Sequence, residues 1–412
     1  MVDWLALGAV MVVAAVALGA PGLLLVAVVT VAYGSLTRLW TRFGMRRVEY
    51  TRTLAASRAV AGDSIGLDVT VWNRKPLPLP WVAADDLVGD GLAIRERPQM
   101  DRDNERGARQ ILHNGWALAW YERVVRHFHL DDLRRGAYEF GPVRVQVRDI
   151  LGRRAAEEEL EAPGTLLVAP RTVPVRRADR AASPIGERRA LSSLFTDPAL
   201  FGGVRPFQAG DSLRRVHWRA TARLGMAVSR RYEPARGREV VLVVDVQTVD
   251  GPHWQMTWDE PAFEELCIAA ASLARQLLDE GASVGLAAAS FAGSPQRFAW
   301  LAPQASLGQV PRSGMLLARI GPVASGPLVS LLSWLTHRLS PGTGVVLLTA
   351  RNPAPQLPAL RRMTRGGYVV EVVTVGPDAA AHAAAARGGG LRTVAGAVRG
   401  GWEAPDAFTL AG

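Results

Sequence analysis

A chain of 412 residues is too long for one ordinary domain and implies two or three, at roughly 150 residues each. Its 49% hydrophobic and 21% charged content is that of a globular protein with ample core and not of a disordered tail. The net charge of +10 rests almost wholly on Arg and fits coding bias better than a nucleic-acid footprint, while the single Cys267 excludes an internal disulfide and a Cys-cluster metal site.

Residues 4–34 carry no charge and are nearly all Ala, Val, Leu and Met. One helix over that run would be about 45 Å long, against a hydrocarbon core of roughly 30 Å. Ala20-Pro21-Gly22 breaks it, since Pro and Gly favour a turn. Residues 1–40 are therefore expected to form a transmembrane hairpin, with short helices at about 2–20 and 23–39. A signal peptide would want a positive first segment, and the one early charge is Asp3. Arg38, Arg42, Arg46 and Arg47 follow the apolar run at once. The positive-inside rule puts them, the N-terminus and the soluble domains on the cytoplasmic side of the inner membrane. Unpaired Cys267 agrees with that compartment.

From 48 to 170 the period changes to two. Ile65, Leu67, Val69 and Val71 alternate with Gly66, Asp68, Thr70 and Trp72, and Val143, Val145 and Val147 alternate with Arg144, Gln146 and Arg148. Short strands separated by turn clusters predict an all-β domain, a sandwich of immunoglobulin-like kind. Residues 171–235 read as a linker followed by a motif helix. From 236 to 412 strands and helices alternate, with strands at 240–244, 283–289, 344–349 and 368–375. The helix after the first of them should start at Asp259-Glu260-Pro261 and stop before Gly281. That alternation predicts an α/β domain with a doubly wound parallel sheet.

The densest polar stretch runs from Arg205 to Arg223. Asp211 after Gly210 is a good N-cap and Gly225 a terminator, so 212–224 should be helical, with Leu213, Val216, Ala220 and Leu224 buried and Trp218 beside Arg214. Arg215, Arg219 and Arg223 then form one column, and like charges at that spacing repel by a few tenths of a kcal/mol per pair. The column calls for an anion: carboxylates of a neighbouring domain, a partner's acidic face, or a phosphate or nucleic acid.

This stretch resembles the core motif of the bacterial family catalogued as domain of unknown function 58. Arg205, Gly210, Asp211, Arg215, His217, Trp218, Ala222 and Arg223 match, while Phe207, Val216 and Arg219 stand where relatives carry Tyr, Ile and Lys. Asn73, Arg74, Leu77, Pro78, Pro80 and Trp81 match a second pattern in the β-rich part. The resemblance implies a membrane hairpin, a β-rich domain and a C-terminal von Willebrand factor A-like domain. It also implies work beside a MoxR-type AAA+ ATPase and a transglutaminase-like membrane protein. Domains of the A-like kind often bind Mg²⁺ through Asp-x-Ser-x-Ser, since a hard cation needs converging oxygens. Here that position reads Asp245-Val246-Gln247-Thr248-Val249, and Ala350-Arg351 stands where another Asp is usual. Asp245 is thus a degenerate metal position, expected to cap a loop, and Arg351 would repel a cation. No metal and no cofactor are expected.

Other candidates carry less. Residues 281–285 match G-x-S-x-G, but a nucleophile elbow needs strand before helix and the order here is reversed. His217 with Asp211 and Ser212 fails as a triad because offsets of five and six do not converge on one imidazole. His127 and His129 share a strand face without a third ligand, and Glu157, Glu158, Glu159 and Glu161 read as a solvated edge or as the anion for the Arg column. No P-loop motif occurs, and the Arg-Gly-Gly runs at 365, 387 and 399 lack interleaved aromatics, so no nucleic-acid partner is expected. The expected function is a membrane-anchored, non-enzymatic protein-interaction scaffold. The rival is a membrane-tethered hydrolase or nuclease using His217 and Asp211.

Overall fold

Apolar helices bury their surface against lipid or against each other, and the first two here do the latter along one face. In the computed structural model, α1 (Trp4–Ala17) and α2 (Pro21–Phe43) are joined by a turn through Gly19 at φ 56°. They run antiparallel with small residues at the contact. A Cβ on Gly8 would come 2.6 Å from Val31, and one on Gly34 would come 3.0 Å from Trp4. The Trp4 and Tyr33 rings meet edge-on at 5.6 Å. Glycine at both points lets the backbones approach. Two spanning helices were expected. Among the described residues one helix, over Pro21–Trp40, is long and apolar enough to cross a bilayer. The turn takes residues 18–20, so α1 ends at Ala17 and its described length is 14 residues, about 21 Å at 1.5 Å per residue.

The described residues are 4–89, 91–96, 110–148, 154–177, 204–206, 221–223, 225–226, 228–230, 239–254, 256–291 and 297–411. They divide into a first unit ending at Val168 and a second beginning at Ala169.

In the first unit, strands β1 (Val48–Leu54), β3 (Ile65–Asn73), β7 (Arg123–Asp131) and β5 (Ala93–Glu96) pair in that order as one antiparallel sheet. A second antiparallel sheet has the order β10 (Arg154–Leu160), β9 (Val143–Arg148), β4 (Leu79–Val88) and β6 (Gln110–Leu118). A small sheet of β2 (Arg58–Val60), β11 (Gly164–Ala169) and β8 (Gly136–Phe140) completes it. Leu67, Val69, Val82, Ala84, Leu130, Val143 and Val147 of the two larger sheets share one core. Ile65, Leu67, Val69 and Val71 are all buried, as the period of two requires.

The end of α2 is spliced to this unit by polar contacts. Trp40 Nε1 donates to the Pro78 carbonyl at 3.0 Å, and Lys75 Nζ donates to the Gly44 carbonyl at 2.8 Å. Lys75 thus places its charge at the helix's C-terminal end, where the dipole favours it. Burial pushes its ammonium down to about 8. Fully buried Asn73 donates from Nδ2 to the carbonyls of Leu77 and Ala119, locking two loops together. Deeper in the unit, Arg52 pairs with Asp86, both buried, and the Tyr50 hydroxyl donates to Asp86 at 2.7 Å.

The second unit is built on an eight-stranded sheet. Its members are β12 (Val175–Arg177), β15 (Glu239–Val244), β16 (Ser283–Ala288), β17 (Ala299–Gln304), β18 (Gly344–Thr349), β19 (Val369–Val375), β20 (Arg392–Arg399) and β21 (Ala407–Ala411). The order is β12-β21-β20-β19-β18-β15-β16-β17. The five central strands are parallel, while β17 and β21 run antiparallel to their inner neighbours, so the sheet is mixed at its edges. Helices cover both faces. Val240, Leu242 and Val244 pack toward α3 (Glu260–Asp279) and α4 (Gln309–Arg319). Val241 and Val243 pack toward α5 (Leu328–Thr336) and α6 (Leu357–Arg365), and α7 (Ala379–Gly388) follows β19. A strand buried on both faces reads as a continuous apolar run, as 240–244 does. The Asp259 side chain caps α3 by accepting from Ala262 N at 3.1 Å, and Gly281 follows its end at φ 83°. Within the stretch expected as a linker, β12 pairs with β21, and the Val173 amide donates to buried Ser272 Oγ on α3 at 3.0 Å.

Candidate functional site

β15 lies between β16 and β18. The chain leaves β15 through α3 toward one neighbour and returns much later, through α5, to the other. Where the order reverses, the loops leaving the carboxyl ends of β15 and β18 diverge and open a crevice. A cleft of about 280 Å³ lies there, lined among others by Gln247, Asp250, His253, Leu328, Arg351 and Gln356.

Its floor is a buried ion pair. Asp245, the first residue after β15, is 2% exposed and Arg351, two residues after β18, is 6% exposed. Arg351 Nε donates to Asp245 Oδ2 at 2.8 Å and Nη2 donates to Oδ1 at 3.3 Å. Thr349 Oγ1 donates to Oδ2 at 3.1 Å, and the Gln247 amide donates to Oδ1 at 3.3 Å. Each carboxylate oxygen therefore accepts two hydrogen bonds, which fills all of its lone-pair sites. Burial pushes the Asp245 carboxyl up, and the Arg351 guanidinium, the Thr349 hydroxyl and the Gln247 N–H pull it back. The Gln356 carboxamide, turned with its oxygen toward the guanidinium, accepts from Arg351 Nη2 at 3.2 Å. Asp245 was expected to cap a loop. It does so through Gln247 N, but its main partner is Arg351. Among the described residues no group of three or more His, Cys, Asp or Glu converges.

The rim is apolar. Trp254 and Met256, on the loop after β15, are 73% and 76% exposed. Val249 and Trp258 on the same loop, and Phe291 after β16, are exposed as well. Sequence reasoning passed over this loop. Three large apolar residues within five positions, Trp254, Met256 and Trp258, directly ahead of the Asp259 cap, were the signal available.

The motif residues fare differently. Gly210, Asp211, Arg215, His217, Trp218 and Arg219 lie outside the described residues, as do Leu213, Val216, Ala220 and Leu224. Arg205 falls in β13 (Val204–Pro206), opposite Ser229 of β14 (Val228–Arg230). Arg223 is exposed in the helical turn at 221–223, which Gly225 ends at φ 67°. His127 Nδ1 lies 2.7 Å from Asp68 Oδ1 on an exposed strand face, an ion-pair geometry and not a metal cluster. Glu157 pairs with Arg144 at 3.2 Å, and Glu158, Glu159 and Glu161 are exposed. Ser283 of the 281–285 run opens β16 after α3, the reverse of an elbow.

Comparison with known proteins supports the family that the motif suggested. Residues 203–298 match the family model described as "Protein of unknown function DUF58", a stretch that includes the motif, β15 and β16. "Uncharacterized protein YeaD" of Bacillus subtilis (strain 168) is 25% identical over 265 residues, covering 62% of this chain and 59% of that protein's own length. Among solved structures, the CARDB domain of the PF1109 protein from Pyrococcus furiosus is 13% identical over 29% of this chain and 93% of its own, with a TM-score of 0.19. Spo0M, the sporulation control protein of Bacillus subtilis, is 12% identical over 39% of this chain and 58% of its own, with a TM-score of 0.18. At such scores these structural likenesses carry no argument about this chain.

Proposed function

We propose that this chain is a non-enzymatic scaffold, held to a membrane by α2 with α1 folded against it, that docks partner proteins through the switch-point edge of its second unit. We read the second unit as von Willebrand factor A-like and the first as an immunoglobulin-like sandwich. The supporting observation is the filled Asp245 carboxylate. With four donors on its two oxygens it offers no oxygen to a cation or to a proton in transit. Beside this polar floor, the loops after β15 and β16 expose Trp254, Met256, Trp258 and Phe291, and large side chains of that kind anchor protein interfaces. Arg42, Arg46 and Arg47 after the span favour a cytoplasmic placement of both units at the inner membrane. A MoxR-type AAA+ ATPase and a transglutaminase-like membrane protein are the partners proposed.

The test is quantitative co-purification of a tagged MoxR-type ATPase from detergent-solubilised membranes with the parent chain and with Trp254→Ser/Met256→Ser. Both side chains point to solvent, so the variant should melt within about 0.5 kcal/mol of the parent, yet retain several-fold less partner. Equal retention by the two forms would contradict the reading. So would a hydrolytic activity that disappears in a folded His217→Ala protein.

A further inference from the structure

We propose that the end of the first unit that receives α2 is a lipid-facing surface, seated on the headgroups of an anionic bilayer. This rests on reading α2 as a membrane anchor and is independent of the docking edge.

The strand directions bring distinct pieces of sequence to this end. β3 finishes there at Asn73, β4 begins at Leu79, β6 finishes at Leu118 and β7 begins at Arg123. The loops 74–78 and 119–122 are therefore neighbours, and Asn73 Nδ2 and the bond from Tyr121 N to the Lys75 carbonyl join them. Trp120 and Tyr121 form the tip of the second loop at 68% and 62% exposure. Tyr121 is held in the left-handed region at φ 55°. Trp81, at the start of β4, is 49% exposed, with the Arg148 guanidinium 5.7 Å from its ring centre. Among the described residues, Trp120 and Tyr121 stand mostly open and Trp81 half open.

Depth and charge both favour lipid as what covers these rings. The apolar span of α2 ends at Trp40, and Trp40 Nε1 is bonded to Pro78 inside loop 74–78. The loop is thereby fixed at the level where the span leaves hydrocarbon, which is where Trp and Tyr concentrate in membrane proteins. Arg42, Arg46 and Arg47 are exposed beside it. Among the described residues the acids at this end are Glu49, which pairs with Arg74 at 2.6 Å, and Glu122, whose carboxylate accepts the Ala119 amide at 2.6 Å. Cationic charge thus predominates, and anionic headgroups attract such clusters within a Debye length. A Trp ring needs no specific receptor at the interface, because its apolar body and polar N–H suit that layer together.

The experiment uses the full chain with Cys267→Ala, reconstituted in vesicles of phosphatidylcholine with phosphatidylglycerol. A nitroxide is placed in turn at Tyr121→Cys, at Ala56→Cys on the opposite end of the same unit, and at Val29→Cys within α2. Collision with oxygen and with a water-soluble nickel chelate gives the depth of each. Labels at 121 and 29 should lose nickel collisions while the label at 56 keeps them, and adding Trp120→Ser should restore collisions at 121. A label at 121 that behaves like the one at 56, with 29 still shielded, overturns this proposal and leaves the anchor standing. Nickel access at 29 overturns the anchor itself. Shielding at 121 that Trp120→Ser leaves unchanged also overturns the proposal.

Discussion

Arg351 and Asp245 stand 106 positions apart in the chain and 2.8 Å apart in the fold. Each is buried on the strength of the other. Removing one partner of such a pair leaves an uncompensated charge and costs about 3–5 kcal/mol, whereas an apolar replacement of both can be nearly neutral. Arg351→Met alone should therefore cost about 3–5 kcal/mol in urea unfolding. Arg351→Met/Asp245→Asn should cost less than Arg351→Met does, because the Asn oxygen still accepts from the Gln247 amide and its NH2 can donate to the Thr349 hydroxyl. Additive losses would show that the two side chains are not coupled. Lys75 makes a second case with a pH signature. Its ammonium is pushed down by burial from 10.5 to about 8. Between those values the unfolded chain holds a proton that the folded chain has released, so this group's contribution to stability rises with pH across the window. Lys75→Met should remove that rise, seen as a smaller stability gain from pH 7.5 to pH 10.5 than in the parent. In the sequence Arg351 was visible as an obstacle to a cation and Asp245 as a lapsed ligand. That the one neutralises the other was not visible, because spacing along the chain says nothing about two strand ends brought together by a crossover.

At the scale of elements, strand β3 and the 240–244 run were legible because their burial follows from their own side chains. Alternation marks a strand with one face in the core, and a continuous apolar run marks one covered on both faces. β12, β17 and β21 were not legible. They are edge or near-edge strands whose assignment depends on the neighbour they pair with, and β12 is three residues long. The helix boundary at Asp259 was readable because a cap is local chemistry. The end of α1 was not, since Ala17 and Leu18 differ little in propensity and packing against α2 decides where the turn begins. The splice between α2 and the first unit offers a check at this scale. Asn73→Ala deletes two hydrogen bonds and leaves the Leu77 and Ala119 carbonyls unmatched. A loss of about 2–3 kcal/mol is expected, measured by denaturant unfolding of the full chain in detergent. A loss below about 0.5 kcal/mol, the range of an uninvolved surface change, would mean that the two loops are held by packing alone.

For the whole molecule, the sequence conveyed an apolar N-terminus, then strands alone, then strands alternating with helices, because composition and period change from one to the next. It placed the chemical interest in the Arg205–Arg223 motif, most of which lies outside the described residues. The described candidate site lies instead where a topological switch opens the sheet. That reversal of strand order is a property of the assembled chain, and the local sequence only hints at it through Asp245 and the apolar loop behind it. The proposed function has this edge, with Arg351 paired to Asp245 beneath it, meet another protein. Photo-crosslinking tests it most directly, with p-benzoylphenylalanine introduced in bacterial cells at Trp254 and, for comparison, at Leu307, an equally exposed apolar residue beyond β17, whose end lies level with the amino ends of the parallel strands. A discrete adduct from position 254 with none from 307 is the predicted result. Adducts from both positions alike, or from neither, would contradict it.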